Sequence, residues 1–420
     1  MKVFIIGSGA KIHSLIWKLA QSKRVSKIYS SYTNAGISKL AEFVDIRENE
    51  NNKLYEFVKE NNIDLTVLDS LTTGVTGLAD KLRAEGFNVF GPGENSCKIA
   101  MSCSFLKKFM HKYKIPTPHF GVFDKESMAL AYARKAQYPQ VVKFDSRIPG
   151  TGSIVCESFN EAKNAISFCL KNLYKPVVLE DYIPGKEISF QVIMDGYDAV
   201  PLPAAYVYKK SQNGNLGFNT DGMGAYSPVS FVDQDLEGKI AQRIFFPIID
   251  GLNAEKMGFA GLLKATIILD EKNNPNLVKL NVVFGDPETQ TVMPILNEDI
   301  FDIITLSSVG ALADSYESFK IAEEHSVCVS FVSEGYPNEY KKGFVIEGLD
   351  EIVDDNTFVF HGGTEKNVYA EVVTKAGRVL DIVSTGSTLN RAQKLVYESV
   401  DLIEFQNMKY RKDIAKVVLY

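Results

Sequence analysis

Val3-Phe4-Ile5-Ile6-Gly7-Ser8-Gly9 is the stretch on which the reading of this chain turns. Four consecutive apolar residues ending in a glycine turn describe a strand buried on both faces, not one that alternates between core and water. The same run is too short for the apolar centre of a secretion signal and ends in glycines where a cleavage site would be needed. Working outward, the spacing predicts a helix over His13 to Ala20, a strand over Lys27 to Ser30, a polar helix over Lys53 to Glu60 and a strand over Leu65 to Leu68. A further helix over Thr76 to Glu85 and a strand over Asn88 to Phe90 follow, the latter ending in Gly91-Pro92. Strands alternating with helices at this interval imply a parallel sheet covered on both faces, a doubly wound α/β unit spanning 1–101.

The remaining length divides in the same way. After a helix from Ser102 to Lys112, Ile115-Pro116-Thr117-Pro118 is a stiff connection. Beyond it a strand over Gln140 to Phe144, a strand over Ser153 to Glu157, a helix over Asn160 to Leu170 and a strand over Pro176 to Glu180 make a small α+β module, 123–186. Segments 102–122 and 187–325 form a larger unit with long strands over Ile188 to Met194, Gly261 to Leu269 and Leu277 to Val283. It also holds a helix over Leu236 to Leu252 and a Gly/Asn-rich loop from Ser211 to Gly224. The tail, 326–420, reads as a strand-rich domain closing with a helix over Leu389 to Ile403.

Composition narrows the function. The 420 residues carry a net charge of -6 with no dense basic block, which argues against nucleic acid as a partner. No run reaches the roughly 18 apolar residues that cross a bilayer. Five cysteines without paired spacing read as reduced thiols in a cytoplasmic protein and against a zinc site.

Individual motifs leave alternatives open. Gly7-Ser8-Gly9 is either a phosphate-binding turn or a tight strand-to-helix turn, since the third glycine of a dinucleotide fingerprint is Ile12. Lys143, closing an apolar strand before Pro149-Gly150-Thr151-Gly152, either reaches phosphates or lies beside a surface turn. Glu180-Asp181-Tyr182-Ile183 with Gly185-Lys186-Glu187 is either an adenine- and ribose-binding hinge or a solvated acidic turn. More specific are Gly217-Phe218-Asn219-Thr220-Asp221-Gly222-Met223-Gly224 and Asn281-Val282-Val283-Phe284-Gly285-Asp286-Pro287-Glu288-Thr289-Gln290. There Gly, Asn, Asp and Pro gather in a density that a helix or strand interior would penalise.

With those strings in place, the chain resembles the phosphoribosylamine-glycine ligase family of ATP-grasp enzymes. The resemblance runs in order through Ile6-Gly7-Ser8-Gly9, Asn34-Ala35-Gly36, Val141-Val142-Lys143, Gly185-Lys186-Glu187, Gly222-Met223-Gly224-Ala225-Tyr226-Ser227-Pro228, Phe284-Gly285-Asp286-Pro287-Glu288 and Gly377-Arg378-Val379-Leu380. It implies a ligase of purine biosynthesis, in which ATP with Mg2+ activates the glycine carboxylate and the amine of 5-phosphoribosylamine attacks the acyl phosphate. By the same resemblance Asp286 and Glu288 act in catalysis. Lys107, Lys143, Glu180, Asp181, Ile183 and Glu187 hold ATP, while Gly9, His13, Asn34, Gly36, Asn219, Thr220 and Gly222 hold the other substrates. A monomer or weak homodimer acting on small molecules is expected.

The departures are as specific as the matches. Where the family's metal segment reads approximately EFNxRFGDPE, this chain has Lys279 in place of the metal carboxylate and Val283 in place of the arginine, leaving Asn281 as metal ligand. A lid lysine has become Thr151, a helix lysine Cys103, and an acidic motif after the third strand reads Asp69-Ser70-Leu71-Thr72-Thr73. Two readings therefore stand together, an active ligase and a paralogue that keeps a nucleotide- or phosphometabolite-binding cleft with reduced or absent turnover. Lys279, putting its ammonium near the vacant metal position, and Arg147 or Lys264, replacing a lost cation from another position, are the basic residues that could compensate.

Overall fold

The computed structural model describes residues 1–145, 152–172, 176–313 and 323–416. Its first sheet is parallel, with order β3-β2-β1-β4-β5 from β1 (Lys2–Ile6), β2 (Lys27–Ser30), β3 (Glu42–Phe43), β4 (Leu65–Leu68) and β5 (Val89–Phe90). Val3 and Ile5 bury against one apolar cluster and Phe4 and Ile6 against another. A strand covered on both sides has to be apolar at every position, and this one is.

The lid sheet has order β6-β9-β7-β8, from β6 (Phe120–Phe123), β7 (Gln140–Phe144), β8 (Ser153–Cys156) and β9 (Val177–Asp181). Two helices, Glu126–Ala133 and Phe159–Lys171, cover one face through Ala129, Ala133, Ala162 and Ile166, and Val177 and Leu179 meet them. The other face of β9, carrying Val178 and Glu180, turns toward the large domain.

Then come β10 (Lys186–Met194), β11 (Ala199–Pro201), β12 (Tyr206–Val207), β13 (Lys210–Gln212), β14 (Leu216–Asn219), β15 (Gly224–Ser227), β16 (Gly261–Leu269) and β17 (Pro275–Asn281). Strands β11-β10-β16-β17 form the large antiparallel sheet. The segment read as a continuous Gly/Asn-rich loop is in part a hairpin, β13 paired with β14, whose turn uses Gly214 in the left-handed region. The helix expected over Leu236 to Leu252 is broken by a π turn at Ala241–Phe245, between Gln234–Ile240 and Phe246–Ala254.

The tail supplies β18 (His325–Ser333), β19 (Thr357–His361), β20 (Thr364–Lys366), β21 (Val372–Thr374), β22 (Arg378–Gly386) and β23 (Met408–Lys409), with the helix Leu389–Val400 packed across β18 and β22. Strands β12 and β15 extend this sheet in the order β12-β15-β18-β22-β19. The Gly224–Ser227 string is thereby fastened to the tail.

Candidate active site

The site grows from the alternation of strands β10, β16 and β17. Ser189 lies opposite Thr266 and Thr266 opposite Lys279, while Gln191 lies opposite Lys264 and Lys264 opposite Asn281. Side chains facing each other across a ladder share a sheet face, so Glu187, Ser189, Gln191, Lys264, Thr266, Lys279 and Asn281 form one polar face. Ile188, Phe190, Val192, Leu263, Ala265, Ile267, Leu277 and Leu280 fill the apolar core on the other.

The turn after β17 is pinned onto this polar face. The Gly285 N–H donates to Gln191 Oε1 at 2.9 Å, and Glu288 Oε1 accepts from Ser189 Oγ at 2.7 Å and from Lys264 Nζ at 3.1 Å. A Cβ on Gly285 would stand 2.6 Å from the Glu288 carboxyl and 2.7 Å from Lys264, so only glycine lets the pair close. Burial alone would raise the Glu288 pKa. Lys264, the Ser189 hydroxyl and its own backbone N–H at the helix start outweigh it and hold the carboxyl at about 2. Nearby, Lys209 pairs with Glu187. Lys279 has no hydrogen bond or ion pair among the described residues. The residue is exposed, and the surrounding protein, then Lys264 and Lys209, lower its pKa.

The lid adds a second cationic group. Lys107 and Lys143 both bind the buried Glu180, Lys143 at 2.5 Å. Lys143 also donates to the Val278 carbonyl at 2.8 Å, one residue from Lys279. Lys107 donates to Thr117 Oγ1 at 2.6 Å, and Thr117 donates to the Leu277 carbonyl at 2.9 Å. Burial lowers the Lys107 pKa to about 8, with Glu180 opposing and Lys143 adding to the shift. Asp181 is not part of this group. It lies on the helix-covered face of the lid sheet, where its carboxylate accepts from Gln140 Nε2 at 2.9 Å beside His119. Ile183, half-buried, follows in the hinge. Arg147 and Thr151 lie outside the described residues.

Asp286 meets the tail. Arg378 Nη2 donates to Asp286 Oδ1 at 2.5 Å and pairs with Asp381 at 3.2 Å, and Gln290 Nε2 bridges the same two carboxylates. Burial works against the Arg378 charge, but Asp286 and Asp381 raise its pKa well above the ordinary value. Gly9 brings the first sheet to the same place, since a Cβ there would stand 3.6 Å from Asp286 Oδ2. Lys11 ties the turn down by pairing with Asp69 at 2.6 Å, and the same Asp69 accepts from the Phe284 N–H at 2.6 Å. From the hairpin side, the Thr220 N–H and hydroxyl both donate to the Lys209 carbonyl. Gly222 packs so tightly on Pro287 that a Cβ would come within 2.3 Å, and Asn219 is exposed.

His13, Asn34 and Gly36 form a different structure, a buried joint to the tail. His13 Nδ1 accepts from the His361 N–H at 2.8 Å, Asn34 Nδ2 donates to the His361 carbonyl at 2.6 Å, and a Cβ on Gly36 would meet the His13 ring at 2.1 Å. Burial, and then neighbouring positive charge, push His13 to about 3 and His361 to about 4. The unfolded chain therefore takes up protons below its histidine pKa that the folded chain refuses. Stability should fall as pH drops from about 6.5 toward about 4, by up to about 1.4 kcal/mol per pH unit for each histidine. Imidazole NMR signals that stay at their neutral positions to about pH 5 would bear this out, and titration near 6.5 would contradict it.

Three family models divide the chain between them: the N domain of phosphoribosylglycinamide synthetase over residues 1–100, its ATP-grasp domain over 101–289 and its C domain over 326–417. Phosphoribosylamine–glycine ligases of Caldanaerobacter subterraneus and Brucella melitensis are 37% and 36% identical over 420 residues, spanning 99% of this chain and 99% and 97% of their own. This chain belongs to the phosphoribosylglycinamide synthetase family. A crystal structure of the Thermotoga maritima phosphoribosylamine–glycine ligase superposes with a TM-score of 0.85 at 26% identity, covering 98% of this chain and 100% of that one. The biotin carboxylase domain of Hydrogenobacter thermophilus 2-oxoglutarate carboxylase, crystallised with MgADP, shares the fold alone. Its TM-score is 0.72 at 16% identity, over 97% of this chain and 91% of that one.

Phosphoribosylglycinamide synthetases use ATP with Mg2+. The comparisons lend no support to a non-catalytic paralogue, the alternative that the substitutions raised. The substitutions themselves are visible. Cys103 is the first residue of its helix, which Ser102 caps; its N–H donates to Asp145 Oδ1 at 2.5 Å, and its thiol is pushed up to about 11 by burial and then Asp145. Val283 is half-buried. ATP suits the cleft, because two lysines share the single Glu180 carboxylate and a third stands unpaired, leaving positive charge for a polyphosphate. A divalent cation on β17 does not suit it. Asn281 offers one neutral oxygen beside Lys279 and Lys264, and the nearest carboxylates, Glu187 and Glu288, are bound to lysines. Among the described residues, no cluster of three or more His, Cys, Asp or Glu side chains is placed to hold a metal.

Three residues of the site carry no role in the sequence reading: Thr266, Arg378 and Ser189. Thr266 and Lys264, the latter expected only as a substitute cation, are polar interruptions two residues apart in an otherwise apolar strand, a period-2 signal of a functional face. Arg378 stood in a matched string without a role, and Ser189 is a buried hydroxyl in an apolar strand.

Proposed function

We propose that this chain joins glycine to 5-phosphoribosylamine at the junction where β17, the lid and the tail meet, with Asp286 and Glu288 at its centre. The observation that carries the reading is the turn Gly285–Glu288, held from three sides by Gln191, Ser189 with Lys264, and Arg378. ATP, when bound, supplies the phosphoryl group that activates a carboxylate. Lys143, held by Glu180 and the Val278 carbonyl, and the unpaired Lys279 offer fixed positive charge to phosphate oxygens, which is where charge develops. Arg378 pairs with Asp286 and orients it beside Gly9, where the amine substrate would be received. Thr220 and Gly222 close the opposite side over Pro287. No step is assigned to a metal on β17.

The substrates are small molecules. Five free thiols and the acidic net charge support action in the cytoplasm, as a monomer or weak homodimer without nucleic acid. No helix among the described residues is long and apolar enough to cross a membrane. The purified chain supplied with ATP, Mg2+, glycine and phosphoribosylamine should form ADP only when both glycine and the amine are present. ADP formation indifferent to either, or none above a blank, would overturn the reading.

A further inference from the structure

The polar face of the large sheet carries more ammonium groups than a metal-bridged nucleotide site requires. On it or against it stand Lys264, Lys279 and Lys209, facing two carboxylates, Glu288 and Glu187, with Asp221 at the margin. Lys264 and Lys279 lie on the diagonal of one ladder through their partners Thr266 and Asn281, which sets their Cα atoms about 7–8 Å apart. Glu288 is occupied by Lys264 and Ser189, and Glu187 by Lys209. Lys279 is the member with no partner among the described residues; it is exposed and lies one residue from the carbonyl that anchors Lys143.

Such a face disfavours a divalent cation and favours a polyanion. Mg2+ takes hard oxygen ligands, usually carboxylates with substrate phosphates, and here a lysine stands where the family's carboxylate would be. A compact ammonium on a flexible stem meets phosphate oxygens as a point charge without any intervening ion. Resting on the reading of this cleft as a nucleotide site, we infer that Lys279, flanked by Lys264, contacts the nucleotide's phosphate chain directly at the position where the family places a metal carboxylate, so that nucleotide binding by this chain does not depend on a divalent cation there. Asn281, on the same face, is then a phosphate-side hydrogen-bond donor.

Calorimetric titration of ATP into the full chain, once with EDTA and once with saturating Mg2+, tests this. The two dissociation constants should agree within about threefold, a difference below 0.7 kcal/mol. Lys279→Met should weaken metal-free binding by roughly tenfold without creating metal dependence, because it removes the charge and restores no ligand. Lys279→Glu should weaken metal-free binding at least as much and make binding respond to Mg2+, since the carboxylate returns with Asn281 beside it. The side chain is exposed, so both variants should melt close to the parent.

Binding by the parent that weakens more than about thirtyfold on chelation would overturn the inference and leave the ligase reading intact. Unchanged metal-free affinity in Lys279→Met would overturn it as well. Metal-independent ATP binding without glycine- and amine-dependent ADP formation would uphold it while sinking the ligase reading. Absence of ATP binding in either buffer would sink both.

Discussion

Glu180→Ala should destabilise the protein by about 3–5 kcal/mol, the largest stability loss expected of any single change in the cleft. The glutamate is 2% exposed and holds two lysines, one of them itself buried. Its removal strands both. Neutralisation limits the loss, because a buried lysine that loses its partner sheds its proton rather than stay charged. Lys107, already at about 8 with Glu180 present, is the one that should do so. Lys143 retains the Val278 carbonyl and is less buried, so it loses less of its surroundings.

Two further variants separate this account from a generic loss of packing. Glu180→Gln, which keeps the shape and an acceptor oxygen, should lose noticeably less. Combining Glu180→Ala with Lys107→Met should recover part of the loss, because the uncompensated charge is gone. Denaturant unfolding of the set measures the coupling. An Ala variant as stable as the parent would mean that the lysines find other partners or water.

How far the sequence reveals this cleft depends on what each residue answers to. Val3 to Ile6, Lys27 to Ser30, Leu65 to Leu68 and Gly261 to Leu269 are legible because burial on both faces, or on one, imposes its own period over four or more residues. Strand β3 is not, since two residues carry no period and Phe43 is exposed. Likewise β6 is a short strand half-buried throughout. The hairpin of β13 and β14 has no apolar alternation to announce it, as every residue of β14 is exposed. Its pairing comes from the turn. Similarly, Asp181 follows Glu180 by one residue and for that reason lies on the opposite face of the strand, a distinction that acidity alone does not carry. The His13 joint is invisible for another reason: its hydrogen-bond partner is 348 residues away. What the strings of Gly, Asp and Pro do reveal is where backbone must come close to something. At Gly285 that something is the Glu288–Lys264 pair, and at Gly222 it is Pro287.

Arg378→Ala should lower kcat/KM for the ligase reaction by roughly 10²–10³-fold, the largest rate effect expected of a residue that need not touch substrate. Arg378 is a positioning residue in this argument. Its fork reaches Asp286 and Asp381 together and is the only described cation paired with Asp286. Without it, Asp286 keeps Gln290, and Asp381 keeps Gln290 and the Ser330 hydroxyl, but no cation faces either among the described residues. Asp381, raised above its ordinary value by burial against the pull of Arg378, moves higher still. The acidic limb of the pH–rate profile should therefore shift toward neutrality, a change that a merely structural role would not produce. Arg378→Lys retains one charge but cannot span both carboxylates, so it should recover part of the rate and most of the profile. A rate loss in the Ala variant with an unmoved acidic limb, and no recovery in the Lys variant, would show that Arg378 holds the tail in place and leaves the ionisation of Asp381 untouched.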